Sequence, residues 1–173
     1  MNIFCLDQNS SKAAEYNCDQ HCNKIVLECA QMMANCFDLN VLESAPHNSL
    51  GKPRRHSYFN HPVSKWMRET LGNLFWSIDH AISLERERIY RGYNPHFSMK
   101  FINWVADNFD KSNIPDGEQS EFAIAISTTM KCRQHPLFNS LDAIGKYRLY
   151  YMHDKPFVTW TRREKPEWFV SQA

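Results

Sequence analysis

Apolar residues recur at intervals of three and four along most of the chain, a pattern that predicts helices rather than strands. The first such stretch, residues 11–39, contains neither Gly nor Pro and follows two potential N-caps, Asn9 and Ser10. The second extends from Pro62 to Gly92, with Pro in the first turn and Gly just beyond the last one. We therefore expect two long helices here.

Two shorter helices are predicted in the second half of the chain. One spans residues 95–109, and the other spans residues 141–152 with Ser140 as its cap. Residues 121–130 alternate like a strand but carry helix-forming alanines, and because no second strand is evident we expect this segment to be helical or irregular.

These elements predict an all-α fold. The five glycines argue against a turn-rich β-sandwich, and no repeat or linker divides the chain. We expect a compact single-domain bundle of about four helices with long loops, covering residues 1–173.

The first helix carries an apolar arc and a polar stripe beside it when each residue is advanced by about 100°. The arc consists of Cys22, Ile25, Val26, Cys29, Met33 and Cys36, and the stripe consists of His21, Lys24, Glu28, Gln31 and Asn35. Because the stripe borders the core-facing arc, its side chains are expected at the rim of a cleft. An imidazole, an ammonium and a carboxylate together form a general acid–base set. The alternative is a Lys24–Glu28 surface pair with an unrelated histidine.

The six cysteines indicate reduced thiols in a cytoplasmic protein, since no secretory segment or long apolar run is seen. Cys18 and Cys22 could belong to a zinc site, but a Cys-x2-Cys knuckle and a second ligand pair are missing. We therefore expect no metal and no other cofactor, and no membrane partner. The oligomeric state is left open.

The total charge gives no support to nucleic-acid binding, because it is only +1. Basic residues nevertheless concentrate in residues 131–165 and in the loop Lys52-Pro53-Arg54-Arg55. Aromatic residues make up 13% of the chain, so some rings are candidates for base stacking, although core packing is the default role.

Four blocks of sequence resemble the phage pyrimidine-dimer DNA glycosylases of the endonuclease V family. They are Asp19-Gln20-His21 followed by Glu28, Tyr90-Arg91-Gly92-Tyr93-Asn94, Tyr147-Arg148-Leu149-Tyr150-Tyr151, and Asn60-His61-Pro62 followed by Trp66. The resemblance implies an all-α enzyme that cleaves the N-glycosidic bond of a pyrimidine nucleotide. In that family the N-terminal amine attacks the sugar C1′ as a Schiff-base nucleophile, and the matching glutamate stabilises the developing sugar cation.

Carried onto this sequence, the resemblance and the stripe give one set of expected site residues. The catalytic candidates are Glu28, His21, Lys24, Met1 and Asn2. The nucleotide or DNA contacts are expected at Arg54, Arg55, His61, Trp66, Arg91, Tyr147 and Arg148. Because Asn2 follows Met1, the nucleophile is either an N-terminal amine or a water activated by Glu28.

Two other classes of function are compatible with the sequence. The chain could be a phage protein that sequesters a nucleotide or nucleotide signal without turnover, working in the host cytoplasm. It could also be an interaction domain that uses its aromatic C-terminal tail as the contact surface. Under the glycosylase hypothesis, the expected partner is nucleic acid or a free nucleotide.

Overall fold

Helices and the irregular segments that join them form the structure, a computed structural model that describes residues 1–155 and 157–170. Seven α-helices are present in this part of the chain: α1 (Ser10–Tyr16), α2 (Asp19–Met33), α3 (Leu39–Leu42), α4 (Pro62–Met67), α5 (Leu71–Tyr90), α6 (Met99–Asp107) and α7 (Ala143–Asp154). The all-α prediction is confirmed. The expected count of about four helices is wrong, because both long stretches are interrupted and a further short helix, α3, follows the first of them.

The first stretch breaks after Tyr16 because groups from distant parts of the chain bind the backbone donors and acceptors that a continuous helix would use. The Glu15 carbonyl accepts from Arg91 Nη2 at 2.9 Å, and the Asp19 amide donates to the Thr159 carbonyl at 2.9 Å. Asn17 and Cys18 are extended, and Cys18 begins α2 as its N-cap. Tertiary contacts thus override a local sequence that contains no helix breaker. The helix also ends at Met33, short of the predicted end at residue 39.

The second stretch breaks before Leu71 for a similar reason. Thr70 caps α5 by accepting from the Asn73 amide, while the Leu71 and Gly72 amides donate to the carbonyls of Pro115 and Gly117, each at 3.0 Å. A Cβ on Gly72 would lie 2.4 Å from the backbone of residue 119, so glycine is required where residues 117–119 cross the start of α5.

The two shorter helices differ from prediction mainly at their ends. Helix α6 begins at Met99 rather than at residue 95. Helix α7 is capped by Asp142, whose Oδ1 accepts from the Gly145 amide at 2.7 Å, and not by Ser140. Residues 121–130 form neither helix nor strand, which corresponds to the irregular alternative.

Helix α5 lies at the centre and packs against α1, α2, α4 and α6. The apolar arc of α2 faces this core: all its members are at most 3% exposed, as the pattern predicts. All six cysteines are buried free thiols. Among the helices of the described ranges, none combines the length and apolar character needed to cross a bilayer.

Buried charges fasten the C-terminal segment to the helices. The Asp19 carboxylate accepts from the Thr161 amide at 3.0 Å and from Arg91 Nη1 at 3.1 Å, and Glu87 pairs with both Arg91 and Arg163. The first residue of the Asp-Gln-His run is therefore structural. This network fixes the N-terminus of α2, which carries the polar stripe.

Candidate functional site

A cavity of about 230 Å³ opens beside the polar stripe of α2. Its walls come from residues 1–4, from α2, from the irregular residues 125–130 and from the end of α7. His21, Lys24 and Glu28 all lie along it. The sequence pattern placed these three side chains at the rim of a cleft, and the cavity is where the structure brings them together.

The Glu28 carboxylate forms part of the cavity wall and is held by two partners. Its Oε2 accepts from the backbone nitrogen of Asn2 at 2.7 Å, and its Oε1 lies 3.3 Å from Lys24 Nζ. The glutamate side chain is 8% exposed, whereas the lysine side chain is 68% exposed. The cavity therefore has a fixed, buried anion with a solvent-exposed cation at its mouth.

The side chain of Asn2 anchors the N-terminal segment so that the Asn2 backbone nitrogen stays at Glu28. The Asn2 side chain donates to the Ala125 carbonyl at 2.9 Å and accepts from the amides of Ile3 and Phe4. The Tyr147 hydroxyl in turn bridges residues 123 and 125, with both contacts at 2.9 Å. Asn2 is thus a positioning residue, and its own backbone nitrogen is the group that meets the carboxylate.

His61 lies next to the same N-terminus. It caps α4, with its Nδ1 accepting from the Val63 amide at 3.3 Å. Burial lowers the pKa of His61, and the positive charge of the Met1 amine lowers it further, whereas Glu28 and a hydrogen bond to the Met1 backbone act in the opposite direction. The amine, the carboxylate and this imidazole are therefore electrostatic neighbours.

His21 is inserted deeper in the wall. Its Nδ1 is hydrogen bonded to the Tyr151 hydroxyl, which donates to Asn17 Oδ1 at 2.8 Å. Burial lowers the pKa of His21 to about 3, with further contributions from the charges of Lys155 and Lys24. The ring is therefore neutral at physiological pH, and it is a hydrogen-bonding group rather than a source of protons.

Aromatic rings line the other side of the cavity. Phe4 stacks on His21 with ring centroids 4.1 Å apart and on Tyr150 with centroids 5.5 Å apart. Its backbone is left-handed, with φ of +43°, a conformation that costs a non-glycine residue about 1–2 kcal/mol. The fold therefore maintains a strained residue at the cavity, as is common at functional sites.

Several predicted nucleotide contacts lie instead within the fold. The Arg91 side chain is fully buried and bonded to Asp19, Glu87 and two carbonyls, so it has no donor to offer a phosphate. Arg54 is buried, donates to the Pro46 carbonyl and stacks over Phe101. The structure gives both arginines packing roles.

The predicted aromatic contacts are likewise part of the core. Trp66 is 2% exposed and packs against Trp76 and Phe122, and Tyr147 is fully buried. Arg148 donates to the Leu6 carbonyl and pairs with Asp7 at 3.1 Å. These side chains support the site's scaffold and do not face the cavity.

Arg55 lies in a second, wider groove on the same helix. This groove has a volume of about 560 Å³ and is lined by Leu27 and Gln31 of α2 and by the loop 48–57, which contributes Lys52, Arg54, Arg55 and His56. Leu27 and Gln31 follow Lys24 and Glu28 by three residues each, so the groove lies on a neighbouring part of the α2 surface. The groove and the cavity share no lining residue.

Sequence reasoning missed the cavity residues supplied by other segments, namely Phe4, Tyr150 and Lys155, together with Ser127. Tyr150 follows the buried Tyr147 by three residues on α7, so helical periodicity alone does not separate it from the core-facing side. The left-handed Phe4 and the path of residues 125–130 have no local sequence signature.

Within the described residues, no group of three or more His, Cys, Asp or Glu side chains is arranged to hold a metal ion. Cys18 and Cys22, the pair considered for zinc, are buried. Burial raises the pKa of the Cys22 thiol to about 12. Comparison of the chain with family models, with curated proteins and with solved structures finds no match.

Proposed function

We propose that this protein cleaves the N-glycosidic bond of a nucleotide, in DNA or free, with Glu28 as the catalytic carboxylate. The observation that carries the proposal is the buried Glu28 side chain, 2.7 Å from the Asn2 nitrogen in a cavity lined by lysines and aromatic rings. Lysine ammonium groups suit a phosphate, rings suit a base, and a fixed carboxylate suits the positive charge that develops on the sugar. The resemblance to pyrimidine-dimer glycosylases points to the same chemistry.

The amine route proceeds by displacement at the sugar C1′. The lone pair of the N-terminal nitrogen forms a bond to C1′ as the glycosidic bond breaks, and the bonding electrons leave with the base. The nitrogen then gives up two protons: one is taken up by the departing base, and the other passes to the ring oxygen O4′ as the C1′–O4′ bond breaks. Glu28 stabilises the cationic sugar and assists opening of its ring, which gives a Schiff base.

Two nitrogens are candidates for this attack. With Met1 retained, the amine belongs to Met1, which lines the cavity and lies near His61. With Met1 removed, the nitrogen of Asn2, already in contact with Glu28, becomes the amine. If neither acts, Glu28 activates a water molecule, and the enzyme is then a glycosylase that forms no covalent intermediate.

The basic groove favours a polymeric substrate. Its lysine and arginines provide a second cationic surface beside α2, which suits the phosphates that flank a flipped nucleotide. The base would leave the stack and enter the cavity beside Tyr150. We place this activity in the cytoplasm, which is the host's if the gene belongs to a phage.

The test is incubation of the full chain with single-stranded and duplex oligonucleotides that contain uracil, thymine dimers or modified thymines, and with the free nucleotides. Chromatography of the supernatant should show free base released in proportion to enzyme and time. Recovery of intact bound nucleotide with no released base would contradict the proposal and identify a sequestering protein instead.

A further inference from the structure

Arg54 is a buried cation to which the described residues supply no carboxylate partner. It is one of three buried arginines in this part of the chain, with Arg88 and Arg91. Arg88 pairs with Glu85 at 3.3 Å. Arg91 pairs with Asp19 at 3.1 Å. Because an uncompensated charge is costly to bury, the unpaired guanidinium of Arg54 points to an anion that comes from outside the chain.

Packing holds the Arg54 guanidinium in place without using most of its donors. Its Nε donates to the Pro46 carbonyl at 3.2 Å, and its guanidinium carbon lies 4.4 Å from the centre of the Phe101 ring. Its two Nη groups have no acceptor among the described residues, and neither group is sealed from solvent. The side chain therefore keeps the planar pair of Nη groups with which arginine binds the oxygens of an anion.

Arg54 lies in the wall of the basic groove beside α2, whose volume is about 560 Å³. Lys52 and Arg55 also line this groove, both are exposed, and none of its described lining residues is acidic. Burial lowers the pKa of Arg54, and no neighbouring acid acts in the opposite direction. The groove thus combines one desolvated cation with two exposed cations, and its own lining does not neutralise them.

We infer that the groove is a phosphate-binding site in which Arg54 is the principal ligand, assisted by the charges of Lys52 and Arg55. A phosphate offers several oxygens to the guanidinium and carries enough negative charge to balance more than one cation. The groove has the volume of a small-molecule site, so the group attached to the phosphate has room as well. The site does not depend on the chemistry proposed for the cavity, because the two share no lining residue.

The test is titration calorimetry of the full chain with pyrophosphate, with acetate as a competitor at equal ionic strength. We expect saturable binding at millimolar concentration or below, which acetate does not displace. Arg54→Met keeps an unbranched side chain against Phe101 but removes the charge, and it should weaken binding at least about tenfold. Arg54→Lys keeps the charge without the planar pair of donors and should give an intermediate affinity.

Arg148→Met is the matched control. Arg148 also donates through Nε to a backbone carbonyl, that of Leu6, and also stacks on an aromatic ring, but it has a carboxylate partner in Asp7 and lies outside the groove lining. Its loss should leave the affinity for pyrophosphate unchanged. An affinity of folded Arg54→Met within twofold of wild type, displacement by acetate, or no saturable binding would overturn the assignment of the groove.

Competition with a labelled single-stranded oligonucleotide identifies the source of the phosphate. Displacement of the oligonucleotide by pyrophosphate would assign the groove to a nucleic-acid backbone, whereas binding of both together would assign it to a free phosphorylated molecule. Pyrophosphate binding without base release would refute the proposed function alone. Base release by a chain that does not bind pyrophosphate would refute the phosphate site alone.

Discussion

The substitution Glu28→Gln separates catalysis from folding, because the amide keeps the shape of the side chain and one of its acceptors. The oxygen of the new amide can still accept from the Asn2 nitrogen, so the contact at 2.7 Å is weakened from a charge-assisted to a neutral hydrogen bond at a cost of about 1 kcal/mol. The pair with Lys24 adds little, since that lysine is 68% exposed. For a chain of this size, the melting temperature should fall by about 2–4 °C.

Activity should respond far more strongly than stability. Loss of a carboxylate that stabilises the sugar cation and transfers protons during ring opening is expected to slow base release by about 10²–10⁴-fold. The assay is single-turnover release of base from a labelled oligonucleotide, measured alongside thermal unfolding. Glu15→Gln is the matched control, because Glu15 forms the same kind of pair with Lys12, also at 3.3 Å, on the surface and away from the cavity. A Glu28→Gln rate within about threefold of wild type would refute the assignment.

Three further outcomes follow from the contacts. Arg91→Ala should lower the free energy of unfolding by about 3–5 kcal/mol in urea titrations, because buried carboxylates lose their partner; an unaltered midpoint would contradict the structural role. Exchanging Lys52 and Arg55 for Gln should reduce the salt dependence of DNA binding by about two phosphate contacts without altering the unfolding midpoint; an unchanged slope would place the nucleic acid elsewhere. Because burial lowers the pKa of His21 to about 3 and of His80 to about 4, the unfolded chain binds more protons between those values and pH 6.5. Stability should therefore fall on acidification, by about 2 kcal/mol per histidine from about pH 7 to about pH 5, and flat stability over that range would contradict their burial.

The polar stripe on α2 could be found from sequence because it depends on one helix alone. The spacing of His21, Lys24 and Glu28 is local, and the apolar arc beside it fixes the face that points inward. The rest of the cavity depends on distant segments. The side chain of Asn2 bonds to Phe4 and to the Ala125 carbonyl, while its backbone nitrogen bonds to Glu28. Periodicity does not encode these long-range contacts.

The helix breaks illustrate the same limit. Residues 11–39 carry no local stop signal, yet Arg91 from the end of α5 takes the Glu15 carbonyl and ends α1. The same arginine matched a family motif and was expected to hold phosphate, although its guanidinium is fully used inside the fold. Residue type and motif position therefore indicated importance but not role, because the partners of a side chain lie far away in sequence.

Reductive trapping on DNA tests directly whether the N-terminal nitrogen attacks the sugar. The full chain is mixed with an oligonucleotide containing an abasic site and with borohydride, and the cross-linked peptide is identified by mass spectrometry. We expect a covalent adduct on the nitrogen of Met1 or, after its removal, of Asn2, and a loss of the adduct when extra residues precede Met1. An adduct located on Lys24 or Lys155 would contradict the assignment of the N-terminal amine as the nucleophile.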